Sequence, residues 1–356
     1  MIGTMFSELL EKLLRREDLT TEEASAAMNV IMDGGAQPSQ IAGLLIALAM
    51  KGERPAEVVG FAQTMRARAT RLSQDYRPVF DTCGTGGDRA HTFNVSTIAA
   101  LVLAGCGVRV AKHGNRSVSS QCGSADLFEA LGVNVAAEPT VVERCLAEAG
   151  IAFFFAPTFH PSMRHAGPAR RELGVRTAFN LLGPLTNPAG AARQLVGVPR
   201  PELTELVARS LALLGSERAW VVHGADGLDE ISTGGYTKVS ECRDGEVNTF
   251  YLHPTDIGLS KSAPDALRGG NAADNAAIAQ RVLAGEPGPQ RDVVLLNTAA
   301  ALLIAGKVDR IRDGLEMAAE ALDNGRAASV LDSLRRLSTE SPVATGTPDQ
   351  TGTATQ

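Results

Sequence analysis

The most informative segment of this 356-residue chain is Val79-Phe80-Asp81-Thr82-Cys83-Gly84-Thr85-Gly86-Gly87-Asp88. Its first half favours a short strand, and the glycines that follow favour a tight loop. Residues 98–104 then predict a helix, and residues 108–111 predict a second strand. A strand, a loop, a helix and another strand in this order are typical of a parallel α/β sheet.

The same alternation continues toward the C-terminus. Helices are expected at residues 125–131, 139–149 and 201–214, and strands at residues 133–135, 151–155 and 220–222. Between residues 160 and 199 the pattern is interrupted by five prolines. A long irregular stretch inside a compact protein is usually functional or marks a crossing between domains.

The first 70 residues have a different pattern, which is purely helical. Thr20 or Thr21 is a good N-cap, because acidic residues occupy the turn that follows. Gly52 is expected to close the next helix, and a third helix is expected from Pro55 to about Ala69. No strand pattern is present in this part of the sequence.

These patterns divide the chain into three parts, with an α/β fold overall. Residues 1–70 are predicted to form a small helical domain, and residues 75–338 a large α/β domain with a mostly parallel central sheet. Residues 339–356 are rich in Thr, Pro, Gly and Ala without an apolar period, which predicts a disordered tail.

The bulk composition excludes several classes of function. Hydrophobic residues make up 44% and charged residues 21%, which is ordinary for a globular protein. The formal net charge of -6 argues against a broad nucleic-acid-binding face, although local amides and cations can still hold phosphates. The N-terminus lacks an apolar signal core, and the uncharged stretch 91–108 contains polar residues and glycines. Neither a signal peptide nor a membrane span is therefore expected.

The cysteines favour a cytoplasmic protein. Their number is odd and none forms a Cys-x-x-Cys pair, which predicts reduced thiols and neither a disulfide framework nor a zinc site. The five are Cys83, Cys106, Cys122, Cys145 and Cys242.

Two clusters near the first predicted strand suggest a phosphate site. The glycines from Gly84 to Asp88 would let backbone amides approach an anion, although a simple tight turn explains them equally well. Thr92 and the run Asn94-Val95-Ser96-Thr97 precede an apolar stretch, where a helix N-terminus could cradle a phosphate. Plain N-capping by Asn94 or Ser96 is compatible with the same residues.

A third cluster follows the second predicted strand and is more specific. It reads Lys112-His113-Gly114-Asn115-Arg116-Ser117-Val118-Ser119-Ser120. Its position predicts the C-terminal edge of the sheet, where open α/β folds bind ligands. Lys112 can act as a point charge on a phosphate, and the serines can donate hydrogen bonds to its oxygens. His113 taken alone is more often structural.

The predicted phosphate site suggests roles for two further groups of residues. Asp229 and Glu230 follow the strand expected at residues 220–222 and could bind Mg²⁺, which prefers oxygen ligands shared with phosphates; an exposed acidic turn is the alternative. Arg170 lies in the irregular segment and has the planar fork that suits a carboxylate. The residues alone do not distinguish it from neighbouring arginines, which are Arg164, Arg171 and Arg176.

Taken in this order, the clusters resemble the anthranilate phosphoribosyltransferase family over nearly the whole chain, to about residue 337. The residues that carry the resemblance are the loop from Gly84 to Asp88, Asn94 to Thr97, Lys112 to Ser120, Gly123-Ser124-Ala125-Asp126, and Asn180 to Pro188. The resemblance implies a nucleoside phosphorylase-like fold with the site in the cleft between the two domains. It also implies that the segment near 165–190 returns to the helical domain.

The resemblance further implies the ligands and their contacts. Phosphoribosyl pyrophosphate (PRPP) would contact Gly84, Gly87, Asp88, Thr92, Asn94, Val95, Ser96, Thr97, Lys112, His113, Gly114, Asn115, Arg116, Ser117, Val118, Ser119, Ser120 and Ser124. Anthranilate would contact Gly84, Asn115 and Arg170, with His113, His160 and Pro184 near its path. Mg²⁺, as two ions, would bind at Ser96, Asp229 and Glu230. Lys112, Asn115 and Arg170 would have the catalytic roles.

The implied reaction moves a phosphoribosyl group onto the amine of anthranilate with release of pyrophosphate, in tryptophan biosynthesis. An aromatic amine is neutral near pH 7 and nucleophilic, so positioning and charge stabilisation are expected to suffice without a strong general base. A nucleoside phosphorylase is the nearest rival, against which the Asp229–Glu230 pair argues. A nucleic-acid-binding relative without activity is the rival from another class, and it should be basic.

The helical domain also predicts a homodimer. Ile41, Leu44, Leu45 and Leu48 supply more apolar surface than three short helices are expected to hide, and the resemblance implies a dimer too. Packing of these residues against the returning segment near 165–190 is the alternative.

Overall fold

The computed structural model describes residues 2–88, 90–117 and 121–340. The predicted contacts of Val118, Ser119 and Ser120 lie outside the described residues, as does nearly all of the predicted tail. No helix among the described residues is long and apolar enough to cross a membrane.

Four helices form the N-terminal part: α1 (Ile2–Leu14), α2 (Thr21–Met32), α3 (Pro38–Lys51) and α4 (Pro55–Ala67). Thr20 caps α2, because its side chain accepts from the Glu23 backbone while the Glu23 carboxylate accepts from the Thr20 backbone. Gly52 ends α3 at φ 89°, a positive value that glycine adopts without strain. The capping signals in the sequence therefore gave correct helix ends here.

The interpretation of the apolar residues of α3 as a dimer surface is wrong. Ile41, Leu44, Leu45 and Leu48 are at most 1% exposed, within a hydrophobic cluster that includes residues from 166 to 185. The returning segment packs against α2 and α3, so the alternative interpretation holds. The exposed apolar side chains of this domain are instead Leu14 and Met50, near the ends of α1 and α3.

The α/β part is built on one seven-stranded sheet with the order β3-β2-β1-β4-β5-β6-β7. Its strands are β1 (Phe80–Gly84), β2 (Val110–Gly114), β3 (Ile151–Phe155), β4 (Arg193–Gly197), β5 (Arg218–Gly224), β6 (Thr237–Arg243) and β7 (Glu246–Leu252). The first five strands are parallel to one another, whereas β6 is antiparallel to β5 and β7 is antiparallel to β6. The predicted combination of a helical domain with a mostly parallel sheet is confirmed.

Ten further helices lie within the described residues. They are α5 (Val95–Gly105), α6 (Ser124–Ala130), α7 (Pro139–Glu148), α8 (Ala156–Phe159), α9 (Gly167–Leu173), α10 (Leu203–Leu213), α11 (Ala272–Leu283), α12 (Pro289–Ile304), α13 (Ile311–Asp323) and α14 (Arg326–Thr339). Alternate residues of the strands face two separate hydrophobic clusters. Leu195 of β4 packs in the cluster around α5 and α12, and Val196 packs in the cluster that includes the N-terminal helices.

Three local predictions are wrong. Residues 133–135 form no strand, because Gly132 at φ 87° turns the chain and the buried Val133 and Val135 anchor a loop in the core. The irregular stretch between residues 160 and 199 contains the regular strand β4. Thr339, predicted as the first residue of the tail, is the last residue of α14.

Candidate active site in the cleft between the two domains

A cleft of about 670 Å³ lies beside the C-terminal ends of β1 and β2, and the returning segment forms part of its lining. Because the two strands are parallel neighbours, the loops that follow them open at the same edge of the sheet. The predicted site residues that line the cleft are Gly84, Gly87, Asp88, Thr92, Asn94, Ser96, Lys112, His113, Gly114, Asn115, Arg116, Ser117, Ser124, His160, Arg170, Asp229 and Glu230.

Three predicted site residues do not line this cleft. The side chains of Val95 and Thr97 are buried on α5, on the far side of its first turn. Pro184 is buried, and its carbonyl accepts a hydrogen bond from the Gln194 side chain at 2.7 Å. Contacts of these three residues with a substrate would have to come from their backbone.

The glycine-rich loop after β1 has the geometry of an anion site. Gly86 and Gly87 have φ values of 62° and 86°, which are unfavourable for residues with a β-carbon. The Thr85 N–H donates to the Gly197 carbonyl at 2.9 Å and ties the loop to β4. Among the described residues, Thr85 Oγ1 and Asp88 Oδ2 are buried atoms without a hydrogen-bond partner. Such groups usually indicate a missing ligand, ion or water.

The first turn of α5 faces the acidic pair. The helix begins at Val95, and the backbone N–H of Ser96 donates to Glu230 Oε1 at 3.1 Å. Asn94 occupies the N-cap position, but its side-chain amide donates to the Cys122 carbonyl at 2.9 Å and does not cap the helix. A carboxylate at this helix N-terminus is stabilised by the helix dipole.

Lys112 is 1% exposed and extends from β2 toward β1. Its Nζ donates to the Thr82 carbonyl and lies 3.3 Å from Ser96 Oγ. Burial lowers the pKa of Lys112, and the nearby Asp81 opposes that shift. Asp81 is itself fully buried, and burial raises its pKa to about 6 against the influence of Lys112. The Lys112 amine therefore lies in a largely desolvated place, where electrostatic interactions are strong.

Sequence reasoning missed the role of Asp81. Its carboxylate accepts from the His113 backbone at 3.2 Å and from Asn187 Nδ2 at 2.7 Å. The available signal was an acidic residue inside an otherwise apolar strand, because a buried carboxylate requires compensating partners. Asp81 holds Lys112 and the start of the following loop in place.

Asp88, Asp229 and Glu230 form an acidic cluster at the same edge. Burial raises the pKa of Asp229 well above its ordinary value, and the like charges of Asp88 and Glu230 add to the shift. Burial also raises the pKa of Glu230 to about 7, with Lys112 opposing. Like charges held together out of water are costly unless a cation joins them. No three His, Cys, Asp or Glu side chains among the described residues form a complete metal site, so phosphate or water would supply the other ligands.

The loop after β2 contains charged side chains that already have partners within the protein and a polar side chain that stays exposed in the cleft. Arg116 forms salt bridges with Asp126 at 3.1 Å and Glu129 at 2.7 Å, so its charge is already compensated. Asp126 also accepts from the Ser117 and Gly123 backbones. This network shapes the loop and leaves the cleft-lining Asn115 exposed.

His113 and His160 are neighbours with ring centroids 5.2 Å apart and ring planes inclined at 60°. His113 Nδ1 lies 3.0 Å from the Gly183 carbonyl, and His160 Nε2 lies 3.0 Å from the Thr186 carbonyl. Because a carbonyl only accepts, each ring must donate there, and the other nitrogen is an acceptor in the neutral ring. Burial lowers the pKa of His113 to about 3 and that of His160 to about 4. Both rings are therefore neutral near pH 7.

The buried histidines predict acid instability. Their folded pKa values lie below the unfolded value of about 6.5, so their stabilising contribution is present above pH 6.5 and is lost as the pH falls toward 4. The free energy of unfolding should fall by about 1.4 kcal/mol per pH unit for each histidine. We expect His160→Gln to remove one such contribution from the slope of the free energy of unfolding against pH, measured by urea unfolding from pH 7 to pH 4.5. His91→Asn removes an exposed histidine and should keep the slope, and an equal slope in all three proteins would contradict the prediction.

Arg170, on α9, is half-buried and has no compensating anion. Its guanidinium lies 5.9 Å from the ring centroid of Phe179, and burial lowers its pKa. Its side chain has no hydrogen bond or salt bridge to any residue within 2–88, 90–117 or 121–340. Arg164, Arg171 and Arg176 line the same cleft, so the structure brings together all four arginines that the sequence could not separate.

Comparisons with known proteins agree with this geometry. A family model described as the glycosyl transferase family, a/b domain, matches residues 76–328, and one described as the helical bundle domain of the same family matches residues 7–69. An anthranilate phosphoribosyltransferase of Symbiobacterium thermophilum is 54% identical over 92% of this chain and 96% of its own.

Solved structures give the same result. The crystal structure of anthranilate phosphoribosyltransferase from Thermus thermophilus has a TM-score of 0.86 and 44% identity, over 93% of this chain and 99% of that chain. The enzyme of the same name from Saccharomyces cerevisiae, in complex with PRPP and Mg, has a TM-score of 0.86 at 27% identity, over 94% of this chain and 98% of that chain.

Proposed function

This chain belongs to the anthranilate phosphoribosyltransferase family, and from that premise we propose how its cleft performs the family's reaction. The protein transfers the phosphoribosyl group of PRPP to anthranilate, giving N-(5'-phosphoribosyl)anthranilate and pyrophosphate, in tryptophan biosynthesis. The observation that carries the assignment of the site is one cleft in which the half-buried, uncompensated Arg170 lines the same space as a glycine-rich loop and an acidic pair.

The phosphate side of the cleft is assigned to PRPP. The loop from Gly84 to Asp88, the start of α5 and the loop after β2 converge there, and their amides and hydroxyls suit phosphate oxygens. Cleavage at C1 of the ribose places negative charge on the departing pyrophosphate. The desolvated Lys112 is positioned to stabilise that charge, because its electrostatic influence is weakly screened.

Magnesium fits the acidic cluster. Asp229 and Glu230 are half-buried carboxylates whose repulsion a cation would relieve, Ser96 lies beside Glu230, and Asp88 has a buried oxygen without a partner among the described residues. We assign Ser96, Asp229 and Glu230 as the residues that hold Mg²⁺, in two ions. When bound, the metal neutralises charge on the pyrophosphate oxygens.

The acceptor side is assigned to anthranilate. The guanidinium of Arg170 has the planar fork that matches the carboxylate of anthranilate, and Asn115 is an exposed polar group in the same cleft. The acceptor nitrogens of His113 and His160 are suited to N–H groups. The amine of anthranilate needs only to be oriented toward the ribose, so positioning is expected to supply much of the rate.

One assay tests the function directly. Addition of PRPP and MgCl₂ to the protein and anthranilate should produce a time-dependent loss of anthranilate fluorescence, with release of pyrophosphate in equal amount. Phosphate-dependent cleavage of a nucleoside, without any consumption of anthranilate, would support the nucleoside phosphorylase alternative instead.

We also assign the protein to the cytoplasm, as a homodimer. No disulfide joins the five cysteines, all of which lie among the described residues, as expected of a reducing compartment. Leu14 and Met50 are 78% and 75% exposed on α1 and α3, which contact each other, so these two side chains are the candidates for burial by a second copy. The interface is therefore placed on this face of the helical domain, and not on the buried residues of α3.

The dimer leads to a prediction about Leu14→Glu combined with Met50→Glu. Two charges in the interface should convert the dimer into a folded monomer, because burial of unpaired charge is strongly unfavourable. Static light scattering at micromolar concentration measures the mass. Tyr251→Glu adds charge at an exposed aromatic residue of the edge strand β7 and should leave the dimer intact. A wild-type monomer at the same concentration would refute the assignment.

A further inference from the structure

Arg176 connects the returning segment to the glycine-rich loop. It lies between α9 and the 3-10 helix Ala178–Asn180, and its Nη2 donates to the Thr85 carbonyl at 3.1 Å. Its Nη1 lies so close to Gly87 that a β-carbon at that position would collide with it. The guanidinium group therefore lies directly against the loop to which PRPP is assigned.

Most of the hydrogen-bonding capacity of Arg176 is uncommitted. A guanidinium has five N–H donors, and Thr85 O is its only hydrogen-bond partner among the described residues. The side chain is exposed to the cleft, and the carboxylates of Asp229 and Asp88 are close enough to interact with its charge without forming a salt bridge. The donors that do not bond to Thr85 O therefore stay open toward the cleft.

The other cleft arginines differ from Arg176. Arg170 lies on the ring of Phe179, and Arg171 approaches Gly167 at the start of α9. Neither makes a hydrogen bond to the glycine-rich loop within the part of the chain that the structure describes. Among the described residues, the guanidinium that donates a hydrogen bond to this loop is that of Arg176, so an anion bound there would lie within its reach.

We propose that Arg176 is a diphosphate-binding residue. Its open donors bind oxygens of the pyrophosphate group, in PRPP and after its release, above the amides of the glycine-rich loop. This inference rests on the proposed function and extends it, because it gives the returning segment a direct contact with the leaving group. Pyrophosphate is then held by the sheet edge on one side and by the segment packed on the helical domain on the other. A structural tie to Thr85 without ligand contact is the competing explanation.

The test uses binding of inorganic pyrophosphate in the presence of MgCl₂, measured by isothermal titration calorimetry on the full chain. We expect Arg176→Gln to raise the Kd for pyrophosphate by about tenfold or more, the usual effect of losing a charge-assisted hydrogen bond. Arg176→Lys should recover part of the affinity, since it keeps the charge but lacks the fork. Arg171→Gln removes an equal charge from the same cleft and should bind pyrophosphate like the wild type.

Two results would overturn the proposal. One is unchanged pyrophosphate affinity in Arg176→Gln, and the other is equal weakening in Arg176→Gln and Arg171→Gln, which would reveal only a general charge effect. A lower thermal midpoint of Arg176→Gln with wild-type affinity for pyrophosphate would establish the structural tie. Turnover of anthranilate by the wild-type protein is measured separately. Wild-type turnover of anthranilate with unchanged pyrophosphate affinity in Arg176→Gln would contradict only the assignment of Arg176. Absence of turnover in the wild type would contradict the proposed function itself.

Discussion

Arg170→Ala is expected to lower kcat/KM for anthranilate by about one to four decades while PRPP binding changes little. The guanidinium is half-buried, and burial makes its unpaired charge unfavourable, so a carboxylate that pairs with it gains strongly. Removal of one partner of a buried charged hydrogen bond typically costs about 2–5 kcal/mol. Apart from Arg176, the residues assigned to PRPP follow β1 and β2 and do not belong to α9, which is why the loss should fall mainly on the acceptor.

Titration of each substrate separately on the folded variant measures this effect. Arg170→Lys should restore only part of the activity, because an ammonium group cannot form the paired contact of the planar fork. Arg171→Ala is a control, since it removes a neighbouring arginine of the same cleft. Equal losses for anthranilate and PRPP, together with a lower thermal midpoint, would show that Arg170 only braces Phe179.

The sequence predicted those parts of the fold whose signal is local. Strand β3 lies where the apolar run 151–155 placed it, because a strand buried on both faces is continuously hydrophobic. Strand β7 was not predicted, since it is an edge strand whose side chains are mostly exposed and it lacks an apolar pattern. For residues 133–135 the error is the opposite, because a strand was predicted where the structure has a loop. The two valines are buried, as strand residues often are, but their segment only anchors that loop in the core.

The candidate site was predictable from the sequence where glycine-rich or polar segments directly follow a strand. Gly84 to Asp88 and Lys112 to Ser117 were placed at one sheet edge from sequence alone, because parallel strands end together. The role of Arg176 was not predictable, since it depends on how the returning segment crosses the cleft. The apolar face of α3 was misassigned for a similar reason. A hydrophobic pattern shows that a face is covered, but does not show whether the cover comes from another chain or from the same one.

The acidic cluster leads to the other large effect. Asp229→Asn combined with Glu230→Gln should lower kcat/KM for PRPP by about two to three decades or more, because metal stabilisation of a transition state supplies several kcal/mol. Excess chelator should abolish activity of the wild type for the same reason. Isothermal titration with MgCl₂ and PRPP, together with initial rates, measures both effects.

The same substitutions should not lower the stability of the ligand-free protein. This effect on stability distinguishes a metal site from a structural role of the two carboxylates. Burial and the like charges of neighbouring carboxylates raise the pKa of Asp229 and of Glu230, so their charged forms are unfavourable in the fold, and neutral side chains of similar size remove that cost. The thermal midpoint of the double variant at pH 8 should equal or exceed that of the wild type.

Asp244→Asn with Glu246→Gln removes two exposed carboxylates from the β6–β7 turn and should leave the rate and metal affinity unchanged. Full activity of the Asp229–Glu230 variant, or of the wild type in chelator, would exclude the metal assignment. A lower midpoint with unchanged Mg²⁺ affinity would instead make the pair a structural feature of the sheet edge.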